Sequence, residues 1–414
     1  MRGFPQELVD MVIDQLAEFS VEFEPFLSFV DISDYSTVSR QWLTRTQKHH
    51  FEFIHFTGQD DLEKWGTAIK ADPEGVSRHA RQLLWANLCT LKGFDEHISA
   101  FTRVEEVELS DCEIFRSLPD VEPFMLMGSS LVKLEIDGGL ARPRVMASLL
   151  AGLPNLRHLL VHGLDIERGR DNTIQLPASI PFFEGSGTLN LALVDYSQGN
   201  LDWIPPTPRF SHLRIEALCV HHHWARVSQW IASSAGVLRY LSIEFNPLGT
   251  RSFRFDITID RLSDCDFLPG SPFDPLDLSR CIALETLRLP VPLTQPAKFT
   301  DLVLPSLSSP RLSRVVLNLW ESRVNQIDQI DHRAWETMDR HLCRLAKQFR
   351  ATHGGRMMRV EVSMCYPGDA SALKRLADGW PMPSLEKEAT IVIPESVNWV
   401  DTGVWYRPHM AASV

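Results

Sequence analysis

Three consecutive histidines, His221-His222-His223, are by residue type the side chains of this chain best suited to hold a metal ion. Their spacing argues against it. On a strand, neighbours face opposite sides, so three in a row cannot converge on one ion without distortion. His158 and His162 share a strand face, but sit too far apart for one ion unless the backbone bends. Gly185-Ser186-Gly187 lacks the third glycine and the strand-to-helix context that dinucleotide phosphates need. No Gly-x-Ser-x-Gly elbow occurs, and Ser371-x-x-Lys374 stands on an expected surface helix without a supporting motif. Acidic pairs such as Asp60-Asp61 read as solvated helix starts. Nothing assembles a nucleophile, a base and an oxyanion site. The expectation is a protein that is no enzyme and uses no cofactor or metal.

The elements that position side chains repeat along the sequence from about residue 78. One copy reads Val104-x-x-Val107-x-Leu109-x-x-Cys112-x-Ile114, another Leu238-x-x-Leu241-x-Ile243-x-x-Asn246-x-Leu248. Weaker copies begin at Ala80, Leu131, Leu156, Leu189, Ile215, Leu284, Leu312 and Met357. Between them, 145–153, 224–235 and 372–377 read as helices. A longer helix places Trp335, Met338, Leu342, Leu345 and Phe349 on one face. Residues 253–259 read as an extra strand, and the aromatic run 396–406 as a cap. A strand-plus-helix unit cannot bury its apolar face alone and must stack on its neighbours, which gives a curved solenoid of parallel strands backed by helices and loops. An ordinary α/β domain gives the same alternation. Over residues 78–393 the copies resemble leucine-rich repeats of the irregular kind, with Cys112 and Asn246 at the position of the asparagine ladder.

In such strands the residues flanking the inward apolar positions point outward together. These are acidic early (Glu106, Glu108), histidine-bearing in the middle (His158, His162 and, from the Ile215 copy, Ala217, Cys219 and His221), and basic late. Arg288, Arg314 and Arg359 can grip an acidic or phosphorylated segment through bidentate bonds, and Tyr240 lies on the same face. A soluble, charged sheet surface with no ligand fits the same pattern. The expected client-binding set is Arg288, Arg314, Arg359, Glu106, Glu108 and Tyr240.

Before the repeats, Leu8, Val12, Ile13 and Leu16 form a helical apolar stripe opened by Pro5. That surface needs a partner, either the chain's own core or another protein. Phe4-Pro5-Gln6-Glu7-Leu8, then Val12-Ile13 and Leu16, and later Val38-Ser39-Arg40-Gln41-Trp42 resemble the two signatures of an F-box. Phe4 stands for the usual leucine, and the segment from 20 to 34 is longer than the family's. Residues 51–56 resemble the first strand after that module. The resemblance implies docking on a Skp-family adaptor of a cullin-RING ubiquitin ligase through Phe4, Pro5, Leu8, Val12, Ile13, Leu16, Val38 and Trp42. Together the two resemblances match the F-box proteins with irregular leucine-rich repeats that are numerous in fungi. A cap that only shields the open end of a solenoid is the alternative.

Composition narrows the partners. At 414 residues the chain exceeds one compact core, and 44% apolar with 23% charged residues marks a globular protein. A net charge of −12 argues against nucleic-acid phosphates and anionic membranes. No apolar run spans a bilayer, and Glu7, Asp10 and Asp14 interrupt any secretory core. The 7 scattered cysteines contain no Cys-x-x-Cys pair, which points to reduced thiols in cytosol or nucleus. The expected division is an F-box-like module over 1–56, a solenoid over 57–393 and a C-terminal cap or tail over 394–414.

Overall fold

Alternation of buried and solvent-side residues builds the strands. Leu83 and Trp85, Val107 and Leu109, Leu134 and Ile136, and Leu159 and Val161 send every second side chain into the core, each at 1% exposure or less. A computed structural model describes residues 6–23, 38, 40–71, 74, 78–86, 95–98, 100–113, 115, 117–166, 187–192, 201–204, 209–216, 220–244, 276–292, 300–301, 303–320, 332–364 and 382–393. It is mixed α/β and falls into two compact units, Met1–Pro205 and Pro206–Val414.

The first unit begins with two helices, α1 (Gln6–Phe23) and α2 (Arg40–Glu52), packed on each other. Glu7 in the first turn of α1 complements the helix dipole. Strand β1 (Phe53–Phe56) follows α2 directly, and α3 (Gln59–Ala71) comes next. The Thr57 N–H donates to Asp61 Oδ2 (3.0 Å) and caps the entry to α3. Then come β2 (Gln82–Ala86), α4 (Asp95–Ile98), β3 (Glu106–Ser110), α5 (Leu118–Met125), β4 (Lys133–Asp137) and β5 (Leu140–Ala141). The unit continues through α6 (Pro143–Ala151), β6 (His158–His162), β7 (Asp165–Ile166) and β8 (Gly187–Ala192). Strands β1, β2, β3, β4, β6 and β8 lie side by side, all parallel, and β5 pairs separately with β7.

Two backbone devices recur at register-equivalent places. The carbonyl just before a strand takes two N–H groups from the next crossing: Arg81 from Glu105 (2.8 Å) and Glu106 (3.1 Å), Glu105 from Val132 (2.8 Å) and Lys133 (2.9 Å). The residue just after β3, β4 and β6 is left-handed: Asp111 (φ 50°), Gly138 (φ 76°) and Gly163 (φ 57°). At Gly138 a side chain is also blocked by space, since a Cβ would meet the Asp111 carboxylate at 2.2 Å. Cys112 Sγ donates to the Trp85 carbonyl (3.3 Å), which ties the turn after β3 to β2.

The second unit holds β9 (Phe210–Glu216), α7 (Val220–Ser234), β10 (Tyr240–Glu244), β11 (Thr286–Pro292), β12 (Arg314–Trp320), α8 (His332–Thr352), β13 (Met358–Met364) and β14 (Ala389–Val392). Its six strands run parallel in chain order. The stripe Trp335, Met338, Leu342, Leu345 and Phe349 of α8 is buried as its spacing implies. Arg344 Nη2 donates to the carbonyls of Leu304 (2.9 Å) and Leu307 (3.0 Å), which ties α8 to the crossing before β12. The buried Asp339 accepts the Leu385 N–H (2.9 Å) and fixes the turn leading to β14.

Several expectations change. Strand β1, placed by sequence with the N-terminal module, pairs with β2. The pattern thus extends one crossing earlier, to Phe51, and the sheet one strand later, since β13 pairs with β14. The copies at Leu189 and Ile215 are mis-framed. Hydrogen-bond register puts Leu189 and Leu191, then Leu213 and Ile215, in the inward positions. His221-His222-His223 therefore lies on α7 and not on a strand. Residues 253–259, 372–377 and 396–406, with Ala217, Cys219, Asn246, Ser371 and Lys374, lie outside the described residues.

Candidate functional site

The first candidate surface is the exposed side of α1. Val9 and Ile13, four residues apart, are buried, Ile13 to 1% exposure. The residues one position back, Leu8 (41%) and Val12 (45%), and with them Met11 (54%), face solvent on one contiguous edge. Ile13, expected on that docking edge, is instead interior. Val38 is exposed, whereas Trp42 is half-buried on α2, with its carbonyl accepting from the Thr46 hydroxyl (2.8 Å). Phe4 and Pro5 lie outside the described residues, as does the Leu16 side chain. Sequence spacing from Leu8 would have found Met11, three residues on; it was missed because methionine lies outside the motif.

A polar clamp holds α1 to α2. Arg45 donates from Nε to Asp14 Oδ1 (2.7 Å) and from Nη2 to Asp14 Oδ2. His49 brings Nε2 within 2.7 Å of Asp14 and Nδ1 within 3.4 Å of Glu52. The Arg45 guanidinium holds the Asp14 carboxyl at about 2. Glu52, with Asp14, raises His49 above the usual imidazole value against the opposing effect of burial. Arg45 and His49 sit four residues apart on α2, a spacing that lets them share a partner.

The second candidate surface is the non-core face of the first unit. Glu106 and Lys133 pair across β3 and β4, and Glu108 stands opposite Glu135 in the next row. Lys133 Nζ lies 3.5 Å from Glu106 and 3.3 Å from Glu135. Burial first, then the charge of Glu135, pushes Glu108 up to about 7.

The third is the corresponding face of the second unit. Arg314 and Arg359 are register partners, and both bind Glu361: Arg314 Nη2 at 2.5 Å, Arg359 Nε at 2.6 Å. Ser363 donates to Asn318 Oδ1 (2.9 Å) one row further on. Tyr240, an expected client residue, stacks on His212 and is 7% exposed. Arg288 shares a row with Ser242 and Val316, within the same unit as Arg314 and Arg359. Glu106 and Glu108 belong to the first unit, so the six expected client residues divide between two units.

Among the described residues no three His, Cys, Asp or Glu side chains converge as metal ligands, and no helix is long and apolar enough to cross a membrane. Cys112, Cys281 and Cys343 are buried thiols in no disulfide, and burial pushes Cys281 and Cys343 up to about 11, away from thiolate chemistry. No protein-family model and no curated protein matches this chain.

Proposed function

We propose that this chain is a non-catalytic substrate receptor. In this reading α1 and α2 form an F-box-like module that docks on a Skp-family adaptor. The strands that follow form a curved leucine-rich-repeat-like solenoid, and its non-core face holds a protein client for ubiquitin transfer by other subunits of a cullin ligase, in cytosol or nucleus. The observation that carries this is the two-sided use of α1. Its inner pair, Val9 and Ile13, is spent on α2, while Leu8, Met11 and Val12 remain as a solvent-facing apolar edge on a helix clamped in place. Covering each such side chain is worth roughly 1.5–3 kcal/mol before association costs.

A second reading has its own support. Because α2 passes directly into β1 at the edge of the sheet, the helical pair also serves as a cap, and the chain would then be an interaction scaffold outside any ligase. Co-purification of the full chain with a Skp-family adaptor separates the two. Leu8→Asp with Val12→Asp should abolish capture while leaving the thermal melting curve unchanged, whereas Ile13→Asp should unfold the module. Capture that persists in the Leu8/Val12 double variant rules out the receptor reading.

A further inference from the structure

On the non-core face of the second unit, a row of hydrogen-bond donors crosses four strands. Thr286, Arg314, Arg359 and Thr390 are register neighbours on β11, β12, β13 and β14. Alternation with the buried Leu287, Val315, Val360 and Ala389 puts all four on the side away from the core. Glu361 orients the central pair: its Oε2 accepts from Arg314 Nη2 (2.5 Å), and its Oε1 lies 2.6 Å from Arg359 Nε. That grip leaves Nη1 of Arg314 and both Nη atoms of Arg359 without an acceptor among the described residues. The two side chains are 38% and 57% exposed. The hydroxyls of Thr286, half-buried, and Thr390, exposed, meet no acceptor among those residues either.

Two guanidinia held by one carboxylate leave a local surplus of positive charge, and Arg288 in the adjoining row adds to it. Among the described residues, Glu361 is the one acidic side chain at the non-core positions of β11–β14. The surplus suits a monoanion, because a dianion would meet stronger repulsion from Glu361 beside it. The donors also lie along a line of three strand spacings, about 14 Å, and do not converge on one point as a tetrahedral phosphate requires. Four or five residues of extended chain cover that length. A side-chain carboxylate suits the guanidinium edge, and main-chain carbonyls suit the hydroxyls. With a net charge of −12 the chain as a whole repels acid, so the selection acts at contact range, inside the Debye length.

We propose that this row binds an extended polypeptide segment carrying aspartate or glutamate, laid across β11–β14, with one carboxylate on the Nη edge of Arg359 and on Nη1 of Arg314. This names the client chemistry of the proposed function and rests on the client-holding half of that reading, not on adaptor docking.

The test is fluorescence anisotropy on the full chain with three labelled decapeptides, in which glycine alternates with aspartate, with lysine or with phosphoserine. The aspartate peptide should bind saturably, at least tenfold more tightly than the lysine peptide and no more weakly than the phosphoserine one. Arg359→Gln should weaken it fivefold or more. Arg359→Lys, which keeps the charge but loses the fork, should weaken it about threefold, and Thr390→Val about twofold. Arg340→Gln and Arg340→Lys on the exposed side of α8, the same changes of charge, should leave it unaltered. Should Arg359→Gln fail to fold by circular dichroism, Arg359→Lys against Arg340→Lys decides. Equal effects at the two positions, no saturable binding, or tighter binding of the lysine or phosphoserine peptide would overturn the proposal. Loss of adaptor capture by the unaltered chain would strike the ligase reading and leave this one standing.

Discussion

The two units solve one problem with opposite stoichiometry. In the first, a single ammonium, Lys133, is shared by Glu106 and Glu135, and Glu108 stands beside them. In the second, a single carboxylate, Glu361, is shared by Arg314 and Arg359. The same parallel register thus carries a surplus of acid in one place and of base in the other. The lesson concerns solvation: a central ion gripped from two sides is satisfied, and the ion left over at the margin is the one available for chemistry. In the first unit that marginal ion is Glu108, half-buried and driven toward neutrality; in the second it is Arg359, more than half exposed and bonded through one edge of its guanidinium.

Removing either shared ion should break the arrangement hardest. Glu361→Ala leaves two guanidinia facing each other and should cost about 2 kcal/mol, read as a lowered urea midpoint. Lys133→Met should cost about 1.5 kcal/mol at pH 8 and less at pH 5, because burial raises the Glu135 carboxyl and it takes up its proton earlier as pH falls. Glu108→Gln acts in the reverse direction. Burial raises that group from 4.5 to about 7, so its stabilising contribution is complete below 4.5 and is lost as pH rises through 7. The glutamine variant should therefore be more stable than the parent by about 1 kcal/mol at pH 8 and equal to it near pH 4. The smallest effect belongs to the α1–α2 clamp. His49 is raised by its acidic partners, so its contribution is present below 6.5 and fades as pH rises through the raised value. His49→Gln should cost about 0.5 kcal/mol at pH 6 and close to nothing at pH 9, by thermal melts at the two pH values.

Much of the strand framework was readable in the sequence. Val104, Leu131, Leu156, Leu238, Leu284, Leu312 and Met357 each precede a strand whose register matches the alignment of their copies. The failures have a common cause. In the apolar run from Leu213 to Val220, two frames satisfy the same spacing, and only inter-strand hydrogen bonds choose the earlier one. That slip also moved His221 from a helix onto an imagined strand. Phe51 was missed as a starting residue because it ends a helix and opens a strand within two positions. The charged faces were legible as residue types, but their pairings were not. The sharing of Glu361 needs β12 and β13 brought together from residues far apart in the chain, and the burial of Tyr240 depends on His212 across the sheet. Likewise, the motif identified an apolar edge on α1 but not which of its members α2 would claim.

Glu52 ends α2 and Phe53 begins β1 with nothing between them. A flexible tether is thus missing at the place where a grasped body and a sheet surface would have to be aligned. Whatever holds α1 would inherit its heading from the first strand, and the span from that grip to the strands of the first unit would be set by covalent geometry. Freedom to search would then have to reside in the bound molecule, not in the protein that holds it.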